Sequence, residues 1–295
     1  MSNSLSDLQA YSIIQGISEK INKLEKDTSD GIPTGFEDLD RLLHGLQKES
    51  LIVIGGKSIG KTTLALCIGS NVATKTDTCV SYFSLASNQE QITNRLLGLG
   101  GNINVEKIRR NLLSAKDYEN LTIASGTLSQ SKFYIIDDPI INVQEIEHKV
   151  RALRETHPET DHLVTIDYLS MIEPEEQQNR YEQTDYIVKK LKIMARQLKC
   201  PVILIVNLSR SYDRRVASSS SASTRPQLSD LRDSGTIEED ADVILFLFRE
   251  NVYDYETESK GIAEIIVAKN RNGLTGTIEL AYVGEYSKFV NLIRK

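Results

Sequence analysis

Leu51-Ile52-Val53-Ile54-Gly55-Gly56-Lys57-Ser58-Ile59-Gly60-Lys61-Thr62-Thr63 is the stretch around which the rest of the sequence is read. Leu51 to Ile54 are apolar and read as a short buried strand of a parallel sheet. A glycine-rich turn follows, and Thr63-Leu64-Ala65-Leu66-Cys67-Ile68 begins a helix. Gly55 to Thr62 fits G-x-x-x-x-G-K-[ST], the phosphate-binding P-loop, in the strand–turn–helix setting that the pattern requires. Glycines let successive backbone N–H groups turn inward on phosphate oxygens, and the helix N-terminus adds its partial positive charge. The expected nucleotide-binding set is therefore Gly55, Gly56, Lys57, Ser58, Ile59, Gly60, Lys61, Thr62 and Thr63. Lys61 is expected on the β- and γ-phosphates and the Thr62 hydroxyl on Mg²⁺, which makes ATP and Mg²⁺ the implied ligand and cofactor.

At 295 residues the chain makes one large domain, or one domain with an appendage. Its 40% hydrophobic content supplies a sizeable core. No apolar run is long enough to span a bilayer, and Met1-Ser2-Asn3 opens no signal peptide. Cys67, Cys79 and Cys200 lie far apart without metal-ligand spacing and read as reduced core thiols, so a cytoplasmic protein is expected. With a net charge of −6, any polyanion must meet a local basic surface. There is no tryptophan to build a stacking platform, although twelve tyrosines remain.

Leu5, Leu8, Ile13, Ile14, Ile17, Ile21 and Leu24 recur at helical spacing, and polar Asp27 to Gly31 reads as a linker. The division is thus 1–30, a linker helix with its linker, and 31–295, the main domain. The helix must bury its apolar stripe either on its own domain or on a neighbouring subunit.

Beyond it, Asp38 to Leu43 reads as a short helix closed by Gly45. Thr78 to Leu85 is a strand, Gln89 to Leu97 a helix stopped by Gly98, and Glu106 to Ile123 a helix with polar interruptions. Phe133 to Asp138 is a strand and Val143 to His157 a helix. Leu163 to Tyr168 is a strand, Tyr181 to Lys199 a long amphipathic helix, and Val202 to Val206 a strand. Val243 to Phe248 and Ala263 to Lys269 are two more strands, and Thr277 to Val283 closes the sheet. Apolar strands alternating with helices give an α/β fold, a mostly parallel twisted sheet covered on both faces. The last strands follow one another without long helices, which predicts antiparallel hairpins at the C-terminal end.

A P-loop needs a second acidic group to hold Mg²⁺. Asp167 ends an apolar strand, where a carboxylate emerges at the C-terminal edge of the sheet, and it fits that role beside Thr62.

Taken together, GIPTGFEDLD (31–40), SIGKTT (58–63), TIDYLSMI (165–172), RPQLSDLRDSGTIEEDADVILFLFRE (225–250) and GIAEIIVAKNRNGLTGTIEL (261–280) carry a resemblance. The chain resembles, from about Gly31 to about Val290, the C-terminal motor domain of DnaB-type replicative DNA helicases, a RecA-like P-loop ATPase fold. The resemblance implies that Asn207 stands where the family has a γ-phosphate-sensing glutamine, one carbon shorter. It implies that Lys269 and Arg271 match a Lys-x-Arg pair reaching into the next subunit's ATP site; read from the residues alone, Asn270 to Gly273 is equally a solvated hairpin turn. Arg210, Arg214, Arg215 and Arg225 bracket the serine-rich patch 218–223 and match a loop that grips single-stranded DNA. From the residues alone, the same segment reads either as a flexible phosphate-contacting loop or as a solvated one. Implied partners are single-stranded DNA, further copies of the chain in a ring (a hexamer in its expected form), and a primase or helicase loader. The linker helix is implied to dock on a neighbour.

Two departures stand out. The family reads Ser-Leu-Glu after its second strand, with the glutamate polarising the attacking water; here the run is Ser84-Leu85-Ala86, and Ala86 has no carboxylate. Three explanations stay open: a substitution made to trap ATP, a natural non-hydrolysing relative, or catalysis by another acid, with Glu90 aligning about one helical turn away. Gly56-Lys57 also replaces the family's Arg-Pro. About thirty residues precede the motor, so either the chain is truncated or it works without the family's N-terminal collar. The expected function is that of an ATP-dependent ring-forming DNA helicase or translocase. The alternative is an ATP-binding, hydrolysis-deficient relative acting as a regulatory or assembly factor in replication.

Overall fold

In the computed structural model the chain divides into two units, Met1–Asp30 and Gly31–Lys295. The structure describes residues 31–57, 59–174, 179–217, 224–253 and 256–292. The expected linker helix, Ser58 and the serine-rich patch lie outside them.

The second unit opens with β1 (Gly31–Ile32), α1 (Glu37–Leu43) and β2 (Leu46–Gln47), the two strands pairing antiparallel. The GIPTGFEDLD spelling is a hydrogen-bonding device. Asp40 Oδ1 accepts from the Thr34 N–H at 2.7 Å and the Thr34 hydroxyl at 2.8 Å, while Oδ2 accepts from the Gly35 N–H at 3.1 Å. The turn before the helix is thereby closed by the helix's own side chain.

A nine-stranded sheet follows. Its strands are β3 (Leu51–Gly56), β4 (Thr78–Ser84), β5 (Phe133–Ile136), β6 (Asp161–Asp167), β7 (Val202–Asn207), β8 (Val243–Phe248), β9 (Ile262–Asn270), β10 (Gly276–Val283) and β11 (Lys288–Asn291). Their spatial order is β11-β10-β9-β8-β3-β7-β6-β4-β5. From β8 to β5 neighbours are parallel, and from β8 to β11 antiparallel. This is the RecA-like α/β arrangement expected, with the hairpins at the C-terminal end. The sheet closes one strand later than the sequence suggests. After β10, Ser287 takes φ 47 and returns the chain as β11, an edge strand in which only Phe289 is buried.

The strands read as continuous apolar runs because both faces are covered. Ile52 and Ile54 of β3 join Ile203 and Ile205 of β7 in one core, beneath α2 (Lys61–Lys75) and α3 (Gln89–Gly101). Leu51 and Val53 point the other way, with Leu204 and Val206, against α6 (Val143–Thr156) and α7 (Arg180–Gln197). Each such fully buried side chain contributes roughly 1.5–3 kcal/mol by burial. β3 is therefore a rigid, central support for whatever its C-terminal end carries.

Three helical expectations need correction. Gly98 does not stop α3, which runs on to Gly101 and ends at Asn102 with φ 50. A Cβ at Gly98 would stand 2.7 Å from Val105 Cγ2 and 2.9 Å from the Ile103 oxygen, so this glycine serves close approach rather than termination. Glu106 to Ile123 is two helices, α4 (Val105–Arg109) and α5 (Ala115–Ser129). Asn104 caps the first, and a Ser114–Asp117 capping box starts the second. The third concerns the arginines after β7. Arg210 to Arg215 lie on α8 (Arg210–Ala217), not on a loop. The remaining helix, α9 (Gly235–Asp240), leads into β8. Among the described residues no helix is long and apolar enough to cross a membrane.

Candidate nucleotide-binding cleft

At the C-terminal ends of β3, β4, β6 and β7 lies a cleft of about 750 Å³, lined by Gly60, Lys61, Thr62, Thr63, Ala86, Asp167 and Asn207 among others. The sheet brings these together by register. Gly56 at the tip of β3 pairs with Asn207 at the tip of β7, and Ser84, two residues before Ala86, pairs with Asp167. Ligands of open α/β sheets occupy this edge.

The P-loop turns at Gly60, whose φ of 113 is left to glycine, and α2 begins at Lys61. A fifteen-residue helix thus presents its N-terminal N–H groups and dipole to the cleft. Lys61 is buried, and its Nζ donates to the Gly56 carbonyl at 2.6 Å. Burial pulls its pKa from 10.5 down to about 8, and the negative charge of Asp167 works against that pull. Asp167 is itself buried and accepts the Tyr82 hydroxyl on Oδ2 at 3.0 Å. Burial, reinforced by Asp167, holds Tyr82 well above the usual phenol range, so it is a fixed donor that aims the carboxylate. Among the described residues no three His, Cys, Asp or Glu side chains cluster to cage a metal. A hydroxyl, one carboxylate and a polyphosphate are what Mg²⁺ takes in such sites, so Thr62 and Asp167 fit it without a cage.

Lys269 and Arg271 are not in this cleft. Lys269 pairs across β8 with Ile244, which lies beside Val53, and Gly56 stands three residues further along β3, about 10 Å at 3.3 Å per residue. Lys269 Nζ donates to the carbonyls of Glu238 (2.6 Å) and Glu239 (3.1 Å), and an Arg271 guanidinium nitrogen donates to Glu239 (3.0 Å). Both cations sit on the C-terminal end of α9, where unpaired carbonyls favour positive charge.

Residues 31–291 match the family described as DnaB-like helicase C terminal domain. The chain belongs to that family. It is 46% identical over 268 residues to the replicative DNA helicase DnaC of Bacillus subtilis (strain 168), covering 90% of this chain and 57% of that protein. To the replicative DNA helicase DnaB of Geobacillus stearothermophilus it is 43% identical, again covering 90% and 57%. The chain thus spans a little over half the length of these relatives. Among solved structures, its fold superposes on a helicase-type ATPase domain with a TM-score of 0.90 at 37% identity, covering 96% of this chain and all of that one. A DnaB-like replicative helicase studied with its interactions with primase gives 0.87 at 36% identity, covering 96% and 68%.

The P-loop residues do not all face the cleft. Lys57 turns to α8 and forms an ion pair with Asp213 at 2.6 Å. Ile59 is buried, and its carbonyl accepts an Arg249 guanidinium nitrogen at 3.4 Å. The Arg249 guanidinium also stacks 3.7 Å from the centre of the Tyr282 ring, which places an arginine against the loop. Sequence reasoning missed Arg249 and Tyr282, as well as Arg95, Glu106 and Glu285, which line the cleft from α3, α4 and the turn after β10. No pattern in the sequence singles these out, because the fold brings them in from separate elements.

Of the four arginines, Arg210 and Arg214 are exposed on α8. Arg215 is held by Asp230 at 2.5 Å, and Arg225 makes a two-pronged contact with Glu264 at 2.6 and 2.9 Å while lying over the Phe248 ring. These last two brace the segment around 218–223.

Proposed function

We propose that this chain is the motor portion of a ring-forming, ATP-dependent DNA helicase that translocates on single-stranded DNA. Lys61, Thr62, Thr63, Asp167 and Asn207 take the triphosphate of one protomer, with Mg²⁺ between Thr62 and Asp167. When bound, that ion neutralises charge on the phosphates. Lys269 and Arg271 serve the site of the adjoining protomer, where cations stabilise charge developing on the γ-phosphate. The observation that carries the reading is the placement of the basic pair at the opposite end of the strands from the chain's own cleft, which leaves a second copy as the one to be served. Arg210 and Arg214 are the phosphate-contacting residues for DNA, and Arg215 and Arg225 hold their segment in place. A primase or a helicase loader fits the same assembly, and a cytoplasmic setting suits three buried free cysteines.

The test is ATP turnover stimulated by single-stranded DNA and lost on Lys61→Ala, with particle size measured in a non-hydrolysable ATP analogue. A monomer that ignores nucleotide sinks the proposal. The second reading, an ATP-binding assembly factor without turnover, is favoured by one observation: the cleft wall at Ala86 is a methyl group where the resemblance places a carboxylate.

A further inference from the structure

Asp242, between α9 and β8, is a buried carboxylate that the nucleotide cleft does not use; its residue is 5% exposed. Its Oδ2 accepts the Leu51 N–H at 2.8 Å and the Lys192 ammonium at 2.5 Å, and its Oδ1 faces an Arg271 guanidinium nitrogen at 3.5 Å. Its backbone does the same work in parallel. The Asp242 N–H donates to the Leu51 carbonyl at 2.9 Å, and the Asp242 carbonyl accepts the Arg271 N–H at 2.8 Å. Leu51 is the first residue of β3, whose last residue, Gly56, belongs to the P-loop. One residue is thus bonded to the root of the nucleotide-bearing strand and to Arg271, through side chain and backbone alike.

Nearby geometry points the same way. The β8–β9 pairing shifts register between Ile244 and Leu245, so one residue of β9, Ala268, is extra just before Lys269. Such bulges re-aim side chains next to functional sites. The α9 carbonyls then hold Lys269 and Arg271 from one side while Asp242 holds Arg271 from the other. A buried ion pair is weak evidence for stability, since apolar packing often replaces it at no loss. What apolar packing cannot replace is the aim of a guanidinium.

We propose that Asp242 is the positioning residue for Arg271: it fixes the guanidinium relative to β3, so that the cation offered to the neighbouring protomer's γ-phosphate is pre-aligned. The inference rests on Arg271 acting on the neighbour's site. It adds that one carboxylate links that cation to the strand carrying the chain's own P-loop.

The experiment measures retention of ADP with aluminium fluoride, which mimics the transferring phosphoryl group, against affinity for ADP alone. It uses the full chain and its Asp242→Asn, Arg271→Ala and Lys192→Met variants. Misplacing a reacting or stabilising group by about 1 Å costs roughly 100-fold. Asp242→Asn is therefore expected to weaken aluminium-fluoride retention about 10- to 100-fold with ADP affinity unchanged within about twofold. Arg271→Ala should lose at least as much. Lys192→Met removes the carboxylate's other cation and leaves the pair with Arg271, so it should bind both ligands as the unaltered chain does. If Arg271→Ala loses retention and Asp242→Asn does not, the positioning role is overturned and the trans-acting arginine survives. If Asp242→Asn and Lys192→Met lose ADP and the mimic equally, Asp242 is only a buried ion-pair partner and the proposal fails. If Arg271→Ala loses nothing, or the unaltered chain does not retain the mimic, both the trans-acting reading and the positioning role fall.

Discussion

Lys61 donates to the Gly56 carbonyl at 2.6 Å, so the P-loop lysine closes on the loop that carries it. An incoming triphosphate must take that proton donor away from the carbonyl. The exchange is favourable because the anion replaces a neutral acceptor in a buried place, where charge-assisted bonds are stronger.

ATP affinity should depend on Lys61 being charged. With its pKa pulled to about 8 by burial, affinity is expected to be level at lower pH and to decline as pH rises through 8. Nucleotide titrations between about pH 6.5 and 9.5 check this, and affinity that holds steady across the range contradicts it.

The same shift has a stability consequence of opposite value. Between pH 8 and the ordinary value of 10.5 the unfolded chain carries this proton and the folded chain does not, so stability from this group rises with pH there and is lowest below 8. Lys61→Met should therefore raise the melting temperature of the nucleotide-free protein at pH 7 while abolishing ATP binding. The gain should shrink as pH approaches 10.5. Thermal melts of both proteins across that range measure it.

Lys57 and Asp213 form an ion pair with each side chain about half exposed, so the pair contributes at most about 1 kcal/mol to stability. Its larger effect is on DNA, since Asp213 lies between Arg210 and Arg214 on α8 and repels phosphates. Asp213→Asn is expected to tighten single-stranded DNA binding roughly two- to fivefold with little change in melting temperature. Arg210→Ala and Arg214→Ala should each reduce the slope of log affinity against log salt by about 0.7. Unchanged slopes remove α8 from the DNA-contacting surface.

Arg225→Ala should behave differently. The side chain is committed to Glu264 and to the Phe248 ring, so its removal is expected to lower the melting temperature by about 2–4 °C, the response of a domain this size to about 1 kcal/mol. The salt slope of DNA binding should stay as it was. A lost slope with unchanged melting would make Arg225 a direct phosphate contact.

The parts of the fold legible in the sequence were those with one local cause. The β3 run and the Gly60-Lys61-Thr62 turn spell themselves, because strand burial and phosphate geometry each demand particular residue types. Asp167 was legible because it ends an apolar run. The Tyr82 hydroxyl that aims it was not, since the two meet only through the β4–β6 pairing. Gly98 misled for a related reason: a glycine needed for close approach to Val105 and Ile103 looks, in one dimension, like a helix stop. Arg215 and Arg225 could be read as arginines near a serine-rich patch, but Asp230 and Glu264 come from other elements. β11 was missed because an edge strand of four residues, with one side chain buried, leaves almost no periodicity to read.

Ala86 carries the last prediction. It lines the cleft with Lys61, Thr62 and Asp167, and its methyl group can neither orient a water nor accept a proton. A positioned general base contributes about 10²–10⁴-fold. If that group is simply missing, Ala86→Glu should raise DNA-stimulated turnover by at least about 100-fold while ATP affinity changes by less than about threefold. The unaltered chain would then bind ATP and turn it over slowly. If instead the unaltered chain already turns over at roughly 1 s⁻¹ or more, as is ordinary for enzymes, and Ala86→Glu adds nothing, another carboxylate does the work. Glu106 and Glu285 line the same cleft from other elements. Glu106→Gln and Glu285→Gln then identify it, because the responsible variant loses turnover and keeps ATP binding, whereas loss of both points to a damaged cleft.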